Sequence, residues 1–151
     1  ATYSDVQNIN KDSSGKQVAS WQLQSPRWSG NIIIGYNIPK HNVKLDITGN
    51  WYGPQRLPIL PKDYRPQYSP WFCLLNAQVS KTVKDKFEVY VGAKNILNFI
   101  PQNPIMRPQD PFDKSANDAS TNPNGYTFDP SYNYAPIQGL RFYVGFRLTF
   151  N

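Results

Sequence analysis

One cysteine, Cys73, and one histidine, His41, are all the sequence offers of those two residues, and that scarcity removes several chemistries at the outset. A lone cysteine allows neither an internal disulfide nor a multi-cysteine metal cluster. His41 sits in a Pro-Lys-His-Asn turn, so a zinc site or a Cys-His nucleophile has nothing further to draw on. Charged residues are only 17% of the chain, mean hydropathy is −0.60, and no apolar run approaches the roughly 18 residues of a membrane helix. A charged-then-apolar leader is missing as well: the chain opens Ala1-Thr2-Tyr3-Ser4, and reads as processed or as an internal piece of something longer. The basic balance, net charge +6 with a pI of about 9.4, raises the question of nucleic acid. Lys and Arg are scattered over turns and loops rather than gathered into a stripe, which argues against a nucleic-acid partner and for solvated turns and a polar interior.

What the sequence has in quantity is aromatic residues, 15% of the chain, and alternation. At the C-terminal end Leu140, Phe142, Val144, Phe146, Leu148 and Phe150 are apolar, while Arg141, Tyr143, Gly145, Arg147 and Thr149 between them are polar, small or charged. Period two predicts a strand with one face in an apolar medium and one in a polar medium. The same pattern recurs upstream. Trp28, Gly30, Ile32, Ile34, Tyr36 and Ile38 share one parity, broken only by Ile33 on the other. Val43, Leu45, Ile47, Gly49 and Trp51 oppose Lys44, Asp46, Thr48 and Asn50; Trp71, Cys73, Leu75, Ala77 and Val79 oppose Asn76, Gln78 and Ser80. Phe87, Val89, Val91, Ala93 and, at the far end, Leu97 oppose Glu88, Tyr90, Gly92 and Lys94. Residues 1–9 add a weak first strand, leading through the hydrophilic stretch 10–15 into a loop that contains Trp21 and Pro26.

Connections alternate in length. Residues 37–42 and 81–86 are short polar turns; residues 53–70, with Pro54, Pro58, Pro61, Pro66 and Pro70, and residues 98–138 are long and without periodicity. In a compact soluble domain a loop as long as the last would count against the strand assignment, whereas membrane barrels join strands by short periplasmic turns and long extracellular loops. If the short turns are periplasmic, Trp28, Trp51, Trp71 and Phe142 lie at the extracellular end of the apolar faces and Tyr36, Phe87 and Phe150 at the periplasmic end. These form two aromatic belts, as expected at the two headgroup levels.

Several segments carry a resemblance to a known family. They are Gln24-Ser-Pro-Arg-Trp-Ser-Gly-Asn31, Gly49-Asn-Trp-Tyr-Gly-Pro54, Glu88-Val-Tyr-Val-Gly-Ala-Lys-Asn-Ile-Leu-Asn98 and the closing segment from Arg141 to Phe150. Together they resemble the C-terminal end of TonB-dependent outer-membrane receptors, with residues 92–98 the most specific part. Tyr143, Gly145, Leu148 and Phe150 resemble the targeting strand that the barrel assembly machinery reads, overhung by Asn151. The resemblance implies an all-β, antiparallel up-and-down meander of about six strands, with residues 1–151 the C-terminal segment of a large transmembrane barrel. It implies the outer membrane as location, nutrient uptake (a siderophore, haem, corrinoid or glycan) as function, and no catalysis or cofactor. Its partners would be lipid, the barrel assembly machinery, the plug and earlier strands, and TonB itself through an N-terminal part that is not in this sequence. No substrate residue is carried over. Lumen-facing Lys44, Asp46, Glu88, Lys94, Arg141 and Arg147 are expected to meet the plug or one another.

Two readings from other classes stand beside this one. A soluble β-sandwich could bind glycans through Trp and Tyr in the Pro-rich loops. An enzyme or Ca²⁺ site could use Asp110, Asp113, Asp118 and Asp129, although their spacing has no fixed frame and lacks the alternation of an EF-hand loop.

Overall fold

The computed structural model describes residues 1–84 and 86–150; Asn151 lies outside them. Eight strands follow in chain order: β1 (Thr2–Tyr3), β2 (Gln7–Lys11), β3 (Gln17–Trp21), β4 (Trp28–Ile38), β5 (Val43–Tyr52), β6 (Phe72–Val83), β7 (Phe87–Lys94) and β8 (Arg141–Leu148). Six of them form one sheet in the order β1-β4-β5-β6-β7-β8, every neighbouring pair antiparallel. From β4 onward this is an unbroken meander.

The N-terminal part departs from the expected strand over residues 1–9. Only Thr2 and Tyr3 pair with the sheet, and Gln7–Lys11 turns away to form a separate hairpin with Gln17–Trp21. The turn explains the diversion: Asp12 Oδ1 accepts from Ser14 N, Ser14 Oγ and Lys16 N, and Gly15 takes a φ of 80°. The stretch that looked like a plain hydrophilic loop is thus the tip of a hairpin. The short connection expected over residues 81–86 also shrinks, because β6 continues to Val83 and Thr82 pairs with Glu88. At the other short turn, Pro39 opens a single 3-10 turn that Asn42 closes in the left-handed conformation, with its N–H donating to Pro39 O.

Register settles the faces. Ile34, Ile47, Ala77, Ala93 and Phe142 form one row of cross-strand partners, and the apolar residues of the predicted alternation that lie within β4–β8 fall on the same side as that row. Lys44, Asp46, Glu88, Lys94, Arg141 and Arg147 fall on the other. The apolar side is uncovered: Phe142 is 75% exposed, Val144 77%, Phe146 68% and Val91 53%. The buried apolar core lies elsewhere. Leu57, Phe72, Met106 and Tyr132 are buried where the loops 53–71 and 95–140 fold against each other and lean over the polar side of β5 and β6. There Tyr52 stacks on Phe72 at 4.9 Å, and Phe72 stacks on Phe99 at 4.7 Å.

Candidate functional site

The two faces and the loop cap each place residues that can act. On the apolar face, the expected belt residues can be located by counting along the strands from the row Ile34-Ile47-Ala77-Ala93-Phe142. Toward the long loops, Trp28 stands six residues beyond the row, Trp51 four, Trp71 six and Phe142 on the row itself. Toward the short turns, Tyr36 stands two residues beyond it, Phe87 six and Phe150 eight. Both ends therefore descend by six residues from β4 to β8. Trp51 and Phe87 fall within about one residue of these two lines, and Trp71 stands about three above its own. The rings also touch: Trp51 stacks on Trp71 at 5.9 Å, Tyr3 meets Trp28 at 4.7 Å and Phe87 meets Phe146 at 6.1 Å.

The terminal residues singled out from sequence divide between the faces. Leu148 ends β8 on the apolar side, and Phe150, just past the strand, is 89% exposed. Tyr143 and Gly145 lie on the polar side. Gly145 pairs with Tyr90 and Gly92 with Tyr143, and a Cβ at either glycine would collide with its partner's ring. The absent side chains let each tyrosine ring pack over the glycine opposite it, the two rings meeting edge to face at 60°. Tyr143 Oη donates to Gln78 Oε1 at 3.0 Å, and the Lys94 ammonium stands 5.7 Å from the Tyr143 ring centre. Around them opens a cavity of about 600 Å³ lined by Gln78, Tyr90, Lys94, Arg141, Tyr143 and Arg147. Arg147 is held by Glu88 at 2.8 Å, and Lys44 by Asp46 at 2.9 Å. The charges of the polar face thus partly pair with one another.

Of the residues that build the cap, Asp129 stood out in the sequence, whereas Asp63, Arg65 and Tyr132 did not. Arg65 is buried and grips Asp63 through Nε at 3.0 Å and Nη2 at 2.7 Å, reaches Asp129 at 3.3 Å, and lies 4.1 Å above the Tyr132 ring. Tyr132 Oη in turn donates to Pro66 O at 2.7 Å. This cluster binds the loop after β5 to the loop after β7. Burial works against ionisation of Asp63 and Asp129, but hydrogen bonds from Arg65 to Asp63, and from Ser131 and Arg65 to Asp129, outweigh it and hold both carboxyls below the ordinary range. Burial first, and Tyr134 second, push the Tyr132 phenol up to about 12.

Asn95 is the second hub. It is buried at φ 52°, its N–H donates to Asn76 Oδ1 at 3.0 Å, and its Nδ2 donates to Phe99 O at 2.8 Å and Gln138 O at 3.2 Å. Its Oδ1 accepts from Phe99 N at 3.0 Å. Three residues on, Asn98 Oδ1 accepts from Leu140 N at 2.9 Å, so the Lys-Asn-Ile-Leu-Asn segment ties the start of the long loop to its end. The resemblance pointed to this segment without its physical reason. For Arg65 the local signal was Asp63 two residues before it; the contribution of Asp129 comes only from the fold.

The four loop aspartates are engaged by separate partners, Asp129 by Arg65 and the other three by hydrogen bonds within the long loop. Asp110 accepts from Ser115 N and Oγ, Lys114 N and Arg107 Nη2; Asp113 accepts from Phe128 N, and Asp118 from Ser120. The Ser115 and Ser120 hydroxyls are the main cause holding Asp110 and Asp118, respectively, below the usual carboxylate range. Among the described residues no group of three or more His, Cys, Asp or Glu side chains converges on a metal position. Comparison of the chain with protein-family models, with curated proteins and with solved structures finds no match to any of them.

Proposed function

We propose that the chain is the C-terminal segment of the barrel of a TonB-dependent outer-membrane receptor, which takes up a scarce nutrient such as a siderophore, haem, corrinoid or glycan. The observation that carries the reading is the uncovered apolar face, bounded at both ends by aromatic rings whose levels slope together. A fall of six residues is about 20 Å, and four strand spacings are about 19 Å, which together give an inclination of about 45° to the strand direction. Strands in membrane barrels tilt by about 35–45°, so rings that follow this slope come level at the two headgroup planes. At that tilt the eleven residues of β4 rise about 25 Å along the normal, the height of the apolar band of such barrels.

The edges support the same reading. Within the six-stranded sheet β1 and β8 each have one neighbour, and in lipid their free backbone groups would cost several kcal/mol apiece. Earlier strands of the same barrel would close both edges. A β-sandwich would instead cover the apolar face with a second sheet. Among the described residues the other sheet is the hairpin β2–β3, whose Ile9 and Val18 are themselves exposed. In the proposed setting the cap stands on the extracellular side, the polar face lines the lumen, and binding and passage, not catalysis, are the chain's work.

The test is fractionation of the source cells, with an antibody against residues 98–138. The expected result is a heat-modifiable band in the outer membrane, part of a polypeptide larger than 17.3 kDa or bound to one, and stained on intact cells. A monomeric 17.3 kDa chain in the soluble fraction would contradict the proposal.

A further inference from the structure

Lys94 and Arg141 are direct cross-strand partners on the polar face. Like charges placed opposite each other weaken a strand pair, so such a pair asks for an explanation. Among the described residues neither has a carboxylate within ion-pair distance; Arg141 Nη1 donates to Gln138 Oε1 and Lys94 faces the Tyr143 ring. The nearby cation Arg147 differs, being matched by Glu88. Beside the two unmatched charges stand the rings of Tyr90 and Tyr143, inclined 60° to each other, for which Gly92 and Gly145 leave room. The concavity is therefore walled by tyrosine and rimmed by two uncompensated positive charges.

We propose that Lys94 and Arg141 form a carboxylate-binding site. A planar carboxylate matches the fork of a guanidinium and takes a further charge-assisted bond from an ammonium. Its presence turns a repulsive pair into a bridged one. The carboxylate belongs either to a small solute or to an Asp or Glu of another polypeptide segment that fills the polar face. The site stands whether or not the chain takes part in transport.

Thermal unfolding of the purified protein, in whichever of detergent or buffer keeps it monodisperse, is followed against succinate, with chloride at matched ionic strength as the control. In parallel, a carbodiimide joins any carboxylate in contact with Lys94 to its amine, and the product is read by peptide mass spectrometry. If a solute is the source, succinate raises the unfolding temperature, and Lys94→Gln weakens its apparent affinity at least tenfold. If a polypeptide is the source, succinate has no effect and Lys94 is recovered joined to an Asp or Glu peptide. Lys94→Glu, which gives Arg141 an opposite charge across the strands, is expected to fold and to lose succinate binding, and with Lys94 gone the carbodiimide product as well. The proposal is overturned if wild type and Lys94→Gln respond alike to succinate and Lys94 forms no joined product. Failure of the outer-membrane reading would appear instead as a soluble chain, and would leave these results interpretable.

Discussion

Replacing Asn95 tests whether one side chain holds the long loop to the end of β7. Asn95→Ala removes the acceptor of Phe99 N and the donor to Phe99 O and Gln138 O, all at a buried position. An orphaned buried amide costs about 1–3 kcal/mol, while the carbonyl of Gln138, an exposed residue, can recover water. Alanine at φ 52° adds about 1–2 kcal/mol that glycine does not. The expected order of local stability is therefore Asn, then Gly, then Ala, with the first step about 2 kcal/mol. Hydrogen exchange of peptides covering residues 96–100 and 138–141 reads this directly. A 2 kcal/mol loss raises exchange through local opening about thirtyfold. Residues 43–47, on the far side of the sheet, should be unchanged. Equal protection in Asn95→Gly and Asn95→Ala, or loosening spread evenly over the chain, would refute the reasoning.

The Arg65 cluster predicts a pH response of the cap. Asp63 and Asp129 titrate below their usual value of 3.8, so their stabilising effect is complete above that pH and is lost as pH falls through their lowered values. Proteolysis of residues 53–71 by an acid-active protease should rise steeply only below pH 3.8, and Arg65→Met, which strands the buried carboxylate of Asp63 at a cost of about 3–5 kcal/mol, should make the loop labile already at neutral pH. Gly145→Ala should destabilise the β7–β8 pair by about 1–3 kcal/mol, since its Cβ displaces Tyr90, and much less in a Tyr90→Ala background. A double-mutant cycle by thermal unfolding with no coupling would remove the tyrosine-on-glycine account. Phe150→Ser should lower the outer-membrane level of the protein more than it lowers ligand uptake per inserted molecule, as quantitative blotting beside an uptake assay would show.

The strands β4 to β8 were legible because period two survives in each of them; β4 begins and ends where the alternation does, whereas β7 stops at Lys94, short of Leu97, where Asn95 takes a φ of 52°. Faces followed from parity alone, since a single-residue slip would have inverted Lys94 and Val91 together. The hairpin β2–β3 was not legible: Ile9 and Val18 are its only large apolar residues before Trp21, and its register rests on the Asp12 turn. The cap was hidden for a different reason. Its contacts join positions far apart in sequence, Arg65 with Asp129 and Asn95 with Gln138, and proline-rich loops carry no periodicity from which such pairings can be read. The same holds for the cavity on the polar face. Lys94 and Arg141 were each visible as charges of the polar parity, but that they stand opposite each other follows only from the register of β7 on β8.

The central claim is that the side bearing Val91 meets lipid and the side bearing Lys94 meets water. A nitroxide at each position, in the polypeptide reconstituted in bilayers, measures both by its relaxation with oxygen and with a water-soluble nickel chelate. The account predicts that the label at position 91 relaxes with oxygen, which partitions into lipid, and that the label at position 94 relaxes with the chelate. The reverse pattern, or access of the chelate to both positions, would contradict it.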